Sequence, residues 1–551
     1  MPPTPADAAK EANEKMAKAW RDFQARANTV GDLAVRYQEH IKDVGNSGFR
    51  TMTLDPASRA YAVVDGSKGA EDIVTLTTLK YTVEIIGSIT SPAGLPVYIG
   101  LHGGGGATKD ANDREWFNMT RIYKGAVRSG VWVTVRGLGN SWDLHFTSAM
   151  YVLLERLIEN MVLFGAKPTL PEQKDWDPVA VNSNRVYLLG FSAGGDGVYR
   201  LAGRLAQRFA AANMGGGHPG SMIIEDHTTT GPSRLNNGLR NLCNLPICLQ
   251  VGEHDTAYLR SPMVARSILD LDQLQSHYRT LFQCPNGRIY SHAGFIHATG
   301  VAPDGENPSS FYHNSWERPN FHFNHHTSPS LPPPTPIISP LYLPTWTHQS
   351  HSLAQQQSLK LPSTPREHLT HAYTNPILDF FDNSRLPTTI PTTRNPHPTY
   401  LIWDLTLPRG DDNFPPEVFS SLSAGGRQNY WLEIPPSSII NHAANPLIVA
   451  SICHEQSIIN IYQADGVDAF RVLLRPGMVR DLTSVMVIVR DGKEALWQTE
   501  GPLGLGFREE VVERTLGRCD ADFVFCYEVG FVRLASGGEG WRAGRGVWGV
   551  V

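Results

Sequence analysis

Cysteine is scarce in this chain, at six in 551 residues, with no C-x-x-C pair and no finger-like spacing. That excludes a disulfide scaffold and a zinc ribbon, and it points to reduced, mostly buried thiols in a cytoplasmic protein. Cys243 and Cys248 stand near enough in sequence to be considered as a pair and are read as free thiols. Charge of one sign is also missing. Lys and Arg number 48 against 53 Asp and Glu, a formal net charge of −5, so the basic surface of a nucleic-acid binder is not expected. No apolar run approaches the ~18 residues that cross a bilayer. The first twenty residues alternate Lys and Glu with Ala and lack an apolar stretch, so no secretory signal is expected. There are no internal repeats.

What is present divides the chain into five stretches. Residues 1–46 are rich in Ala, Lys, Glu and Arg and read as one or two surface helices, with apolar positions running through Leu33, Val35 and Ile41. Residues 47–318 alternate short apolar, β-branched runs with helical patterns. Strands are expected at Tyr81–Ile86, Val97–Leu101, Val131–Val135, Arg185–Leu189, Ile247–Val251 and Ile289–His297. Helices are expected at Ser148–Phe164, Gly194–Ala212 and Ser261–Tyr278. Apolar strands alternating with helices predict an α/β fold with a doubly wound, mostly parallel sheet. Residues 319–398 hold fifteen of the 39 prolines and eight of the 20 histidines, and read as a disordered insertion. Residues 399–536 carry several strand-like runs, with Asp491-Gly492 as a hairpin signal between two of them, and predict a smaller antiparallel β domain. The Gly-rich residues 537–551 read as a flexible tail.

The sharpest motif is Gly190-Phe191-Ser192-Ala193-Gly194. It follows the apolar run Arg185–Leu189 and precedes a helical pattern, which is the strand, sharp turn and helix that a nucleophile elbow requires. The glycines serve the turn, Ser192 is expected to stand exposed on it, and the helix N-terminus favours developing negative charge. Asp196 is expected to cap that helix rather than to react. A second motif, His102-Gly103-Gly104-Gly105-Gly106, follows the strand Val97–Leu101. Bare backbone after a strand can aim N–H groups at an oxyanion, so the expected hole combines the Ala193 N–H with one from Gly103, Gly104 or Gly105. The loop lacks the G-K-[ST] ending of a phosphate-binding loop. His102 reads as a packing or hydrogen-bonding residue.

A serine nucleophile needs a base, and the base needs an orienting acid. With an elbow of this kind the chain order is Ser, then Asp or Glu, then His. The acid is expected just past the strand Ile247–Val251, where Gly252-Glu253-His254-Asp255 follows; Asp255 is the candidate and Glu253 the alternative. The base is expected after the next strand. His313 is the candidate, with His297 and His292, which fall within the strand pattern, as alternatives.

With these motifs in view, the chain resembles the serine α/β-hydrolases of the esterase, phospholipase/carboxylesterase and prolyl-oligopeptidase-like group. Beyond the elbow and the HGGGG loop, the resemblance rests on Asn112, Asp113 and Trp116, then on Arg136, Gly137, Trp142, Leu144 and His145. It includes the extension of the elbow through Asp196 to Gly197, the set Met214, Gly217, His218 and Pro219, and Gly252, Glu253, Asp255, Ala257 and Tyr258. It covers roughly residues 80–300, resumes at Thr393-Arg394-Asn395-Pro396, and continues through Ile402-Trp403-Asp404 and Tyr430-Trp431-Leu432. The family's histidine stands in a Gly-His-Trp-like turn soon after the last core strand; here the corresponding His313-Asn314-Ser315-Trp316 is reached after extra residues. Met214 and His218 are read as lining or buttressing the site.

The resemblance implies hydrolysis of a carboxylic ester or related acyl bond through a Ser192–His313–Asp255 triad and an acyl-enzyme, with no metal and no organic cofactor. A small-molecule ester or acyl substrate is the expected partner. Two other readings stay open: a prolyl-oligopeptidase-like peptidase, and an inactive hydrolase fold that recruits SH3- or WW-type partners through its Pro-rich segment. The trio His322, His325 and His326, with no carboxylate or cysteine nearby, is not read as a metal site.

Overall fold

The computed structural model describes residues 4–27, 39–41, 49–54, 77–89, 91–103, 121–124, 127, 129–138, 148–217, 237–252, 260–285, 289–299, 322–327, 393–405, 427–436, 438, 440, 446–491, 494–499, 503, 505–533 and 541–544. Its centre is a ten-stranded sheet. The strands in chain order are β1 (Glu39–Ile41), β2 (Arg50–Thr53), β3 (Thr78–Ile86), β4 (Leu95–Leu101), β5 (Gly130–Val135), β6 (Val181–Phe191), β7 (Ala211–Gly215), β8 (Pro246–Gly252), β9 (Ser291–Thr299) and β10 (His322–Thr327). In space they run β1-β2-β3-β5-β4-β6-β7-β8-β9-β10. The six from β5 to β9 are parallel to their neighbours. The flanking pairs β1–β2, β2–β3, β3–β5 and β9–β10 are antiparallel.

Burial explains the parallel centre. Every residue of β4 and β5 is buried, so both faces of these strands are covered and no polar alternation is needed. Helix α3 (Ser148–Phe164) is mostly apolar around its circumference, with Leu153, Leu154 and Leu157 fully buried. Helix α4 (Ala193–Arg204) follows β6 directly, and α6 (Arg260–Leu281) joins β8 to β9. Short helices α2 (Arg121–Lys124) and α5 (Asn237–Arg240) precede β5 and β8.

A second unit contains two five-stranded sheets. The first is β11 (Tyr400–Asp404), β14 (Leu447–Cys453), β15 (Ile458–Asp465), β17 (Met486–Asp491) and β18 (Glu494–Gln498). The second is β12 (Gln428–Asn429), β13 (Leu432–Glu433), β16 (Ala469–Leu474), β19 (Tyr527–Arg533) and β20 (Trp541–Gly544). Helix α7 (Glu509–Leu516) lies between β18 and β19 in the chain. N-terminal helix α1 (Pro5–Ala27) packs Trp20 and Phe23 against Leu163 and Cys519, and its Arg26 pairs with Glu513 of α7.

The second unit docks where the parallel strands begin. Arg394 pairs with Asp520, and its backbone N–H donates to Asn184 O near the start of β6. Arg208, just before β7, bonds Glu155 and Glu159 of α3 and donates to Arg518 O. Arg240 and Asn241, before β8, hold Asp404 of β11. The guanidiniums of Arg394 and Arg518 stand 4.7 and 4.1 Å from the Phe523 ring centre, within cation–π range.

Several expectations are corrected. Ile41 lies in an edge strand, not a helix. The helix expected over Gly194–Ala212 ends at Arg204, and β7 begins at Ala211, because this Ala-rich run is captured between β6 and β8. The second unit is not purely antiparallel, since β15 and β17 pair parallel. The 319–398 stretch is ordered at both described ends. Residues 322–327 form β10, and Arg394 is buried by the ion pairs that seat the second unit. The expected tail holds β20, paired with β19. The hairpin at Asp491 is present, with Asp491 opposite Glu494.

Candidate functional site

Ser192 closes β6 and is the N-cap of α4, with φ 57° and ψ −121°. A non-glycine residue in this region costs about 1–3 kcal/mol and persists only where the surroundings over-determine it. They do so here. The Ser192 N–H donates to Gly215 O at 2.8 Å, and the Asp196 N–H donates to Ser192 O at 3.0 Å. The Ser192 side chain makes no cap hydrogen bond to the helix, so its hydroxyl is not consumed in capping. Asp196 sits in the first turn, but the cap position is Ser192's, which corrects the expectation for Asp196.

The glycines are required by close approach. A Cβ on Gly194 would lie 2.4 Å from Leu101 O and 2.6 Å from His102 O. One on Gly195 would lie 2.5 Å from Gly215 O, and one on Gly190 2.2 Å from Gly194 O. The elbow is therefore wedged between the chain leaving β4 and the chain leaving β7. This wedging also overturns the expectation of a protruding serine: Ser192 retains only 6% of its surface. The nucleophile candidate is recessed, where electrostatic interactions act through less water.

The wedge brings the start of the Gly-rich loop to the elbow. His102 is buried; its Nε2 accepts from the Gly137 N–H at 3.1 Å, which leaves Nδ1 to donate to Gly103 O at 2.9 Å. Both ring nitrogens thus serve the backbone. Gly103 is buried beside the elbow. Ala193 is the first residue of α4, so its N–H has no acceptor within the helix. Gly104 and Gly105 lie outside the described residues.

Cross-strand register locates the other candidates. Phe191 pairs with Gly215, Gly215 with Gln250, and Gln250 with Ile296, so Ser192 and His297 each come one residue after the same row, toward the C-terminal ends of the parallel strands. His297 is three strand spacings from β6, or about 14 Å. His292 pairs with Ile247, in the row of Ala212 and Leu188, roughly 13 Å back from the Ser192 edge along the strand direction. Asp255 and Glu253 lie outside the described residues, just beyond the Gly252 end of β8. His313 also lies outside them, in the connection 300–321; Thr299 and His322, which flank that connection, pair with each other. Met214 is fully buried, its backbone paired with Gly190, so it buttresses β6 and does not line an opening. His218 and the Pro-rich run 331–336 lie outside the described residues.

Sequence reasoning missed Tyr123 and Asn213. The Tyr123 hydroxyl donates to Gly190 O at 3.1 Å and accepts from Asn213 Nδ2 at 3.1 Å, with both residues buried. Tyr123 is remote from the elbow in sequence, and no motif couples the two. All six cysteines carry free thiols. Among the described residues there is no cluster of three metal-ligating side chains, and no helix long and apolar enough to cross a membrane.

No protein-family model matches the chain, and no curated protein matches it. Similar solved structures include a thermostable esterase, 15% identical with a TM-score of 0.24 over 41% of this chain and 52% of that one. Another is the enterobactin esterase FES from Shigella flexneri, at 15% identity and a TM-score of 0.24 over 37% of this chain and 48% of that one. A third is a carboxylesterase from Lactobacillus plantarum, at 16% and 0.27 over 43% and 86%. The chain spans about half the length of the first two. At these values the likeness is remote, and the chemistry of the site rests on its own geometry.

Proposed function

We propose that the chain is a serine hydrolase of the α/β-hydrolase type that cleaves a carboxylic ester or related acyl bond. The observation that carries this reading is Ser192 at φ 57°, held in a strained turn between a parallel strand and a helix N-terminus and wedged against the chain leaving β4. A strained serine between a parallel strand and a helix N-terminus is the geometry that a nucleophile elbow requires.

The Ser192 hydroxyl attacks the acyl carbonyl. His313 takes the serine proton and returns it to the leaving group, and Asp255 holds the imidazole tautomer and stabilises the imidazolium. The Ala193 N–H, with one from Gly103, Gly104 or Gly105, receives the oxyanion, each such donor being worth about 3 kcal/mol. Water then resolves the acyl-enzyme. The sheet topology supports this assignment, because the parallel strands β4, β6, β8 and β9 all end on the same side of the sheet and the candidates follow those ends. His313 is favoured over His297, because about 14 Å of sheet is wider than an imidazole side chain spans. His292 is disfavoured by its mid-sheet register.

A fluorophosphonate probe tests the reading. Ser192 is expected to be the labelled residue, with Ser192→Ala abolishing both labelling and hydrolysis of short p-nitrophenyl esters. Folded wild-type protein that stays unlabelled, or an alanine variant as active as wild type, would overturn it. His313→Ala is expected to abolish turnover, whereas His297→Ala retains it.

A further inference from the structure

The hydrolase reading uses the serine, the neighbouring amides and the strand ends, but it leaves a buried phenol behind the elbow without a role. We infer that Tyr123 is a positioning residue for Ser192: its hydroxyl, itself held by Asn213, clamps the Gly190 carbonyl and thereby helps to fix the strained turn two residues later. The inference rests on the hydrolase reading and adds a residue to its machinery.

The argument starts at Gly190. This position has no room for a side chain, since a Cβ would meet Gly194 O at 2.2 Å and Val198 Cγ2 at 2.8 Å. Gly190 has no side chain to anchor it, so its peptide is oriented by its ladder partners Leu101 and Met214 and by whatever reaches its carbonyl. One neighbour is the Tyr123 phenol, which donates to Gly190 O at 3.1 Å. The phenol is in turn aimed by Asn213 Nδ2 at 3.1 Å, and Asn213 is fully buried on β7, the strand that also receives the Ser192 N–H at Gly215. The ring approaches from α2, which is anchored to β3 by the ion pair of Lys124 with Glu84. The relay thus ties the elbow to β7 and, through α2, to β3. Burial pushes the phenol's pKa far up, so it stays a donor at any working pH. Active sites tolerate about 0.5 Å of misplacement before rates suffer, and a residue at a strained φ/ψ drifts when one restraint is removed.

Tyr123→Phe removes the clamp and keeps the ring. The expected result is a kcat lower by ~10-fold with KM unchanged, and a fluorophosphonate labelling rate lower by a similar factor, measured well below the melting temperature. A purely structural role would lower Tm without this split. Asn213→Ala, which leaves the phenol present but unheld, is expected to act in the same direction with smaller size, and the two changes together should be less than additive. Should Tyr123→Phe not fold, the labelling rate of Asn213→Ala decides: a reduced rate supports the clamp and an unchanged one overturns it. Wild-type protein that labels at Ser192 while Tyr123→Phe labels equally fast overturns this inference alone. Wild-type protein that never labels overturns the hydrolase reading instead.

Discussion

Arg394 Nη1 and Asp520 Oδ2 meet at 2.8 Å with side-chain exposures of 1% and 2%, joining the chain that enters the second unit to a loop beyond α7. The same guanidinium donates to Gln207 O and Asn184 Oδ1, so one side chain from the 319–398 stretch bonds both units at once. Removing one partner of a buried ion pair leaves an uncompensated charge, at a cost of about 3–5 kcal/mol. Arg394→Met is therefore expected to lower unfolding stability by about that amount in urea titrations. The pair lies near the start of β6, about 25 Å from Ser192, so the folded fraction should keep the wild-type rate of the proposed hydrolysis. A loss below 1 kcal/mol would show that the joint is held elsewhere.

The elbow makes a prediction of opposite sign. Ser192 occupies φ 57°, ψ −121°, where glycine is relaxed and alanine is not. Ser192→Gly should then be more stable than Ser192→Ala by about 1 kcal/mol, although the proposed mechanism makes both inactive. Thermal unfolding of the two variants side by side checks this. Equal midpoints would mean the strain is absorbed without cost.

What could be read from the sequence followed from local physics. The bounds of α3 are legible because helix-forming residues run from Ser148 to Phe164 without glycine or proline. The strand–elbow–helix at Ser192 is legible because glycine spacing reports a sharp turn. What could not be read depended on partners distant in sequence. The run Ala211-Ala212-Asn213-Met214-Gly215 has helical composition and becomes a strand only because β6 and β8 hydrogen-bond to it from both sides. Tyr123 reaches Gly190 and Arg394 reaches Asp520 across long stretches of chain, and no periodicity or motif encodes such pairs. The motif Thr393-Arg394-Asn395-Pro396 marks Arg394, but the prolines around it mark the stretch as loop without revealing that its end is buried.

Acid should weaken the joint between the units. Burial, followed by the charges of Arg475, Arg394 and Arg518, pushes the pKa of His397 down from 6.5 to about 3. The unfolded chain then binds a proton that the folded chain refuses between these two values. Stability is therefore fully present above pH 6.5 and falls as pH drops toward 3, by a few kcal/mol at most (about 1.4 per unit). His397→Gln, which cannot titrate, is expected to flatten the dependence of unfolding free energy on pH across that window. An unaltered slope would assign the acid sensitivity to other groups.

The wedge at Gly194 separates folding from catalysis. A methyl there would stand 2.4 Å from Leu101 O and 2.6 Å from His102 O, both backbone atoms that cannot swing aside as a side-chain tip would. Gly194→Ala must push the start of α4 away from the chain leaving β4. Overpacking of this kind costs about 1–3 kcal/mol, which a unit with this much buried sheet can survive. The proposed reaction has less tolerance, because it needs the Ala193 amide and the Gly103 loop to face one oxyanion, and a shift near 1 Å can cost ~100-fold in rate. The expected variant is folded, with a modestly lower Tm, near-normal KM and a kcat reduced by about that factor. A fully active Gly194→Ala enzyme would mean that the loop leaving β4 and the elbow need not touch for the reaction to proceed.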